Sequence, residues 1–221
     1  MNILIIGDET NFTECKQKFG ESHRCELKQN QAEAEMIFEH YDVIFDFCID
    51  RDPSQMKVYR DPTDIVAFLN TTKVNLSKLG TAVNQEIKCS LFGFAGLPTF
   101  LDRPILETCV YKLEEKSKLQ GICEKLNTEF QIVEDRIGLV TPRVICMIIN
   151  EAYFTVEEGT ATREDIDLAM KLGTNYPFGP FEWAKKIGIR NVYEVLNAVY
   201  EDTKDERYRI CSLLNKESTL P

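Results

Sequence analysis

Residues 169–183 read AMKLGTNYPFGPFEW, and their reading decides how the second half of the chain is built. Just upstream lies Thr162-Arg163-Glu164-Asp165-Ile166-Asp167. Thr162 and Asp165 have the spacing of a capping box, with Asp in the place usually held by Glu or Gln. The spacing predicts a helix from there to Gly173. The chain must then turn between Pro177 and Pro180, and Pro180 suits the first position of a following helix, where its missing N–H costs nothing. Further upstream, Val140, Val144, Met147, Ile148, Ala152 and Val156 recur at helical spacing, and Gly159 is a natural stop. Downstream, Asn191 is placed to cap a last helix carrying Val192, Val195, Leu196 and Val199.

The first half has a different texture. Asn2–Ile6 is a short apolar run ending at Gly7, as a buried parallel strand would be. Residues 12–19 suit a short helix, and 25–27 a second short strand. Strands are predicted at 42–49, 65–69, 88–94, 106–111 and 130–133, with a helix over 113–126. Strands alternating with helices or loops favour a parallel α/β sheet. The expected architecture is therefore α/β plus all-α. A truncated Rossmann-like domain spans 1–136 and a helical domain spans 137–221.

From Gly138 on, the matches fall in order: Gly138-Leu139-Val140, Arg143, Asn150-Glu151-Ala152, Glu158-Gly159, Asp165-Ile166-Asp167 and Lys171-Leu172-Gly173. They continue through Tyr176-Pro177, Gly179-Pro180-Phe181-Glu182-Trp183, Ile187-Gly188 and Arg207-Tyr208. This segment resembles the C-terminal domain of the 3-hydroxyacyl-CoA dehydrogenase family. The resemblance implies an NAD-binding domain upstream, a catalytic His supported by a Glu, and a helical domain that forms a homodimer and one wall of an acyl-CoA site.

The upstream half departs from what the resemblance implies. The family opens on strand–G-x-G-x-x-G, whose later glycines admit the diphosphate and the close packing of a helix. Here the segment is Gly7-Asp8-Glu9-Thr10-Asn11-Phe12, and only Gly7 is kept as a cofactor-binding position. Glu9 would set a negative charge where the diphosphate belongs. Two like charges ~4 Å apart cost about 4 kcal/mol at an effective dielectric near 20. Phe12 would crowd the strand–helix contact. Residues 8–41 are also too few for the family's second and third strands, long helix and helical hairpin. Glu26 reads as a solvated side chain rather than a ribose-binding acid.

The catalytic positions follow the same pattern. The family strand "GLHFFNP…LVEV" corresponds to Phe92-Gly93-Phe94-Ala95-Gly96-Leu97-Pro98, ending in Ile105-Leu106-Glu107-Thr108. The His position is Ala95 by spacing or Pro98 by a literal match, and neither moves a proton. Glu107 remains as a vestigial catalytic candidate. The substrate-contacting Asn of "GFIVNR" falls on Pro142, which offers no side-chain hydrogen bond. The family loop "SNTSS" is kept as Asn70-Thr71-Thr72, so Asn70 and Thr72 are substrate-binding candidates, or else a self-stabilised turn at a strand end. Lys185 and Arg190 replace two acids of the family's "GPFEWADKIGLDN" and read as a solvated face.

Bulk properties narrow the remaining choices. Lys and Arg total 26 against 36 Asp and Glu, a net charge of −10. A chain this acidic is a poor partner for nucleic acid or an anionic membrane, and Lys185-Lys186 is too small a basic patch to change that. The eight Cys residues are scattered without a C-x-x-C pair, and only His23 and His40 could join them, so neither a disulfide framework nor a metal site is expected. MNILIIGDET lacks the basic start of a signal peptide, which leaves the cytoplasm as the expected compartment. Three functional readings stay open. One is a family member without NAD binding or hydride transfer. The second is an active NAD-dependent dehydrogenase of fatty-acid metabolism. The third is an acyl-CoA-binding or scaffolding protein. A homodimer is expected through the 140–156 helix, whose Val144, Ile145, Met147, Ile148, Ile149 and Phe154 are apolar on more than one face.

Overall fold

Ile3, Leu4, Ile5 and Ile6 are all fully buried, which is the signature of a strand covered on both faces. They belong to β1 (Asn2–Ile6), followed by α1 (Glu9–Phe19), β2 (Arg24–Lys28), α2 (Gln31–Glu35) and β3 (Val43–Asp46). A 3₁₀ stretch at Pro53–Tyr59 leads to β4 (Val66–Asn70), α3 (Leu76–Thr81), β5 (Ser90–Phe94) and β6 (Ile105–Val110). Then come α4 (Lys116–Lys125) and β7 (Glu129–Ile132). The computed structural model describes residues 1–83 and 86–220.

The seven strands form one sheet in the order β2-β1-β3-β4-β5-β6-β7. All neighbours are parallel except β5 and β6. The expectation of a parallel sheet is thus corrected at one place. Residues 95–104 join β5 to β6 by a loop without a helix, and an antiparallel neighbour is what such a short return allows. One row of the sheet is set by register: Ile5 opposes Phe45, Phe45 opposes Phe68, and Phe68 opposes Phe92. Phe45 and Phe68 stack at 4.8 Å between centroids, and Phe94 meets Phe45 edge-on at 5.5 Å. Cys15 and Phe19 of α1 and Leu119 and Cys123 of α4 close this face.

The chain divides into two compact units, Met1–Leu139 and Val140–Pro221. The first runs this far because Asp135 caps α3, accepting the amides of Leu76 and Ser77 at 2.7 and 2.8 Å, and because the Gly138 amide donates to the Thr72 carbonyl at 2.8 Å.

The second unit consists of α5 (Thr141–Glu157), α6 (Arg163–Thr174), α7 (Pro180–Ile187), α8 (Ile189–Thr203) and α9 (Ser212–Ser218). Gly159 ends α5 in the left-handed region at φ 72°, with Gly159 N–H to Val156 and Thr160 N–H to Thr155 closing a Schellman motif. Thr162 caps α6 by accepting the Asp165 amide. α6 ends one residue later than expected, where Asn175 takes the left-handed conformation. Asn191 does not cap α8. It lies inside that helix and donates to the Ile187 carbonyl at 2.8 Å, so it finishes α7 instead. α9 is a further helix that the sequence reading did not separate.

The 169–183 stretch is a junction between two helices. Asp167 accepts the amides of Phe181 and Glu182 at the start of α7, at 2.8 and 3.2 Å. Glu182 accepts the Gly179 amide at 3.0 Å and pairs with Lys171. A Cβ on Gly179 would collide with the Asp167 carboxylate, so glycine is required there. Arg163 lies against the rings of Tyr153 and Phe181 at 5.2 and 5.0 Å and pairs with Glu217.

Candidate functional site

In an open parallel sheet, ligands bind beyond the carboxyl ends of the strands, where the strand order reverses. Here that point lies between β1 and β3. The residues around it are Gly7 and Asp8 after β1, Asp46 to Asp50 after β3, Asn70 to Lys73 after β4, and Ala95 and Gly96 after β5.

The first helix turn is already occupied. The Asp8 carboxylate accepts the amides of Thr10 and Asn11, both at 3.0 Å, and Asn11 Oδ1 accepts the Asp8 amide at 3.0 Å. This reciprocal box takes the N–H groups that a bound anion would otherwise use. Gly7 is needed because Asn11 packs against it, leaving no room for a Cβ. Glu9, the residue expected to set charge against a diphosphate, is exposed, and so is Asp8, whose carboxylate lies on the helix amides. Phe12 does not crowd the strand. It is half-buried at the core margin, with the Lys16 ammonium 5.5 Å from its ring. Glu26 accepts from the Tyr41 hydroxyl and pairs with Lys28 at 2.9 Å.

β3 ends on a fully buried carboxylate. Asp46 accepts from Gln31 Nε2 at 3.1 and 2.9 Å, from the Tyr59 hydroxyl at 2.8 Å, and from the amides of Cys48 and Ile49 at 2.8 and 3.0 Å. Burial still pushes its carboxyl above the ordinary range, against those donors. Next to it, the Cys48 thiol is pushed up to about 11, first by burial and then by the charge of Asp46, with Asp50 and Asp8 adding to it. The Arg51 guanidinium opposes these charges. Asp50 also faces the Lys73 ammonium at 3.8 Å, and both side chains are largely buried. Neither Asp46 nor the Asp50–Lys73 pair was picked out from the sequence. The available signal was an acid inside the apolar run DVIFDFCID.

Asn70 and Thr72 lie together, both buried. Asn70 Oδ1 accepts the Thr72 hydroxyl at 2.7 Å, the Thr72 amide at 3.2 Å and the Gly96 amide at 3.1 Å. Its Nδ2 donates to the Phe47 carbonyl at 3.4 Å. The pair ties the ends of β3, β4 and β5 to one another.

Ala95 is buried and Pro98 half-buried at the start of the 95–104 loop. That loop is held from α1. Glu14 accepts the amides of Leu101 and Asp102 at 3.0 and 3.2 Å, and Lys18 donates to the carbonyls of Arg103 and Pro104. Glu107 is half-buried on β6 and acts on Arg103, whose guanidinium is depressed by burial and partly restored by Glu107 and Glu14. The two histidines lie elsewhere. His23 precedes β2 and meets the Met1 ammonium at 3.1 Å, and the His40 carbonyl accepts from Asn2 at 3.4 Å. Both are at the amino ends of parallel strands, the opposite edge of the sheet from Ala95. In the helical unit, Pro142 sits buried in the first turn of α5. Lys185 is exposed, and Arg190 pairs with Glu194 at 3.0 Å. No His/Cys/Asp/Glu cluster with metal-site geometry occurs among the described residues.

Residues 138–219 match the family model of the 3-hydroxyacyl-CoA dehydrogenase C-terminal domain. These residues form a domain of the 3-hydroxyacyl-CoA dehydrogenase family. The chain is 26% identical over 200 residues to a probable 3-hydroxybutyryl-CoA dehydrogenase of Bacillus subtilis, covering 88% of this chain and 68% of that protein. It is 37% identical over 111 residues to the 3-hydroxyadipyl-CoA dehydrogenase of Escherichia coli, covering 50% of this chain but only 21% of that protein. The crystal structure of (S)-3-hydroxybutyryl-CoA dehydrogenase from Ralstonia eutropha superposes with a TM-score of 0.69 at 17% identity, covering 97% of this chain and 92% of that one. At that identity the superposition speaks for the fold alone. It extends the likeness in fold to the Rossmann-like sheet of the first unit.

Proposed function

We propose that this chain neither binds NAD nor transfers hydride, and that it persists in the cytoplasm as a homodimeric binding protein whose ligand is an acyl-CoA held without redox chemistry. The observation that carries this reading is the position of the histidines. Both lie at the amino edge of the sheet, and the positions matching the catalytic His are Ala95 and Pro98. General acid–base help is typically worth about 10²–10⁴-fold, and no imidazole is placed to give it. The residues present do not fit NAD. Asp8 occupies the helix amides, and the buried Asp46 is already filled by donors of its own chain. Glu107 has Arg103 nearby but no histidine to orient.

The competing reading, an active NAD-dependent dehydrogenase, draws on the names of the relatives. One experiment separates the two. Purified protein is titrated with NADH in a calorimeter and then assayed with NADH and acetoacetyl-CoA. The proposal expects no NADH affinity tighter than millimolar and no loss of NADH above background. Micromolar NADH binding, or turnover that Glu107→Gln abolishes, would establish the dehydrogenase instead. A thermal shift with acetoacetyl-CoA but not with NADH would support the binding role, because a ligand of the native state raises apparent stability.

A further inference from the structure

The 95–104 loop is fastened differently at its two ends. Near β5 the hold is neutral. The Gly96 amide donates to Asn70 Oδ1 at 3.1 Å, and a Cβ on Gly96 would strike the Asn70 side chain. Near β6 the hold comes from titratable groups of α1. Glu14 accepts the amides of Leu101 and Asp102 at 3.0 and 3.2 Å, and Lys18 donates to the carbonyls of Arg103 and Pro104.

Glu14 is a costly peg. It is 7% exposed and, among the described residues, has no ion-pair partner. From the loop, Asp102 faces it with like charge, and the Arg103 guanidinium faces it but is shared with Glu107. On its own helix the neighbouring titratable group is Cys15, a buried thiol held neutral. Lys18, one turn on, is spent on the loop carbonyls, and an amine donates to them charged or neutral. A buried carboxylate without a paired cation is disfavoured against its neutral acid. Burial accordingly raises Glu14 above its ordinary 4.5, and the amides of Asp102, Leu101 and Thr99 recover only part of that.

The gripped segment is also strained. Thr99, a β-branched residue, sits at φ 76°, and its buried hydroxyl has no hydrogen-bond partner among the described residues. Letting go would relax the backbone and wet the hydroxyl.

We infer that residues 97–104 are a pH-gated strap, closed on α1 while Glu14 carries a proton and opening as the ionised carboxylate takes up water. The device needs neither NAD nor acyl-CoA, so it stands apart from the binding role. The open form is the minor state, and pH sets how minor. In the open strap Glu14 is hydrated and titrates near 4.5; in the closed strap it titrates higher. The advantage of closing is therefore complete below 4.5 and is lost as pH rises through the folded value. Opening bares Leu97, Phe100 and Leu101, all buried in the closed strap, so apolar surface appears beside the carboxyl end of β5 only as the strap lifts.

Amide exchange of the full chain, followed by NMR between about pH 4 and 8 and corrected for intrinsic rates, reads the opening at Leu101 and Asp102. The expected opening constant climbs above pH 4.5, by up to about tenfold per pH unit, and levels off at the folded value. The Thr71 amide, bonded to the Phe94 carbonyl at 3.0 Å, should show no such climb. Glu14→Gln cannot ionise and should give a flat profile. Asp102→Asn should keep the climb but end it at lower pH, because a like charge no longer faces Glu14. A wild-type profile that is flat or falls with pH would overturn the inference without any variant, so a Glu14→Gln chain that fails to fold leaves the test intact. A climb that persists in Glu14→Gln, or vanishes in Asp102→Asn, would belong to another group and overturn it too. A climb shared by Thr71 would mean that the whole sheet opens, with no separate strap.

Discussion

Asp167 Oδ1 accepts the backbone N–H of Phe181 at 2.8 Å, so a side chain on one helix caps the start of the next. The companion oxygen takes the Glu182 amide at 3.2 Å. Replacing a capping acid by Ala typically costs about 1 kcal/mol and up to about 2. Asp167→Ala should fall in that range or above it, since two amides lose their acceptor, and Asp167→Asn should cost less. Trp183 is the only tryptophan and lies two residues beyond Phe181, so its fluorescence during urea unfolding reads this junction directly. No change in midpoint would mean that the cap contributes nothing.

Asp46 is the corresponding keystone of the first unit. Asp46→Ala would strand the Tyr59 hydroxyl, the Gln31 amide and two backbone N–H groups in a dry interior. Each unsatisfied buried donor costs about 1–3 kcal/mol, so a loss of at least about 3 kcal/mol is expected in far-UV dichroism of urea unfolding. Tyr59→Phe removes one donor only and should be far milder.

Acid should act in opposite directions on two sets of carboxyls. In the helical unit, Lys171 holds Glu182 below its ordinary 4.5, and Ser212 does the same for Glu157. Their contribution is complete above that value and is lost as pH falls through the lower folded values. In the first unit, burial raises Glu14 and Asp46. A raised carboxyl contributes most when protonated, so these two groups favour folding more as pH falls through their folded values, against Glu26, Asp52 and Asp61 of the same unit, which are held low. The melting midpoint followed by Trp183 should therefore drop below about pH 4.5, the ordinary Glu range. Glu182→Gln should blunt the drop, and an unchanged acid response in that variant would count against the pairing.

Thiol chemistry should be slow in the native state. Cys15, Cys89, Cys109, Cys123, Cys146 and Cys211 are buried, and only Cys25 and Cys48 are partly open. Cys48 is held at about 11 and Cys89, Cys109 and Cys123 at about 12, mainly by burial, so little thiolate exists near neutrality. Iodoacetamide followed by mass spectrometry should mark at most Cys25 and Cys48 in native protein and all eight in urea. Rapid native labelling at Cys109 would contradict the packing around it.

Much of the fold could be read from the sequence, because periodicity and caps are local signals. The helical unit's Thr162 cap, Gly159 stop and Pro180 start all follow from neighbouring residues. The antiparallel β6 could not be read that way, since it depends on where a loop without a helix returns. Asn191 misled for a related reason: a residue suited to capping the helix after it can equally finish the one before. At the candidate site, Ala95 and Pro98 were legible by spacing as the positions that match the family's histidine. The Asp8 cap is signalled only by Asn three residues on, in the place where a capping box usually carries Glu or Gln. The Asp50–Lys73 pair joins two loops from different strands, and no local pattern announces it.

The junction of Asp167, Gly179 and Glu182 has a consequence for how likeness within such families is weighed. Its most recognisable letters serve helix geometry: an acid to receive two amides, a glycine to let that acid in, a proline to start the turn. None of them needs a substrate. A mutation there would act first on whether the two helices join. Likeness borne by this segment is therefore inherited with the architecture, and a chain can keep it in full while the pressures on turnover change independently.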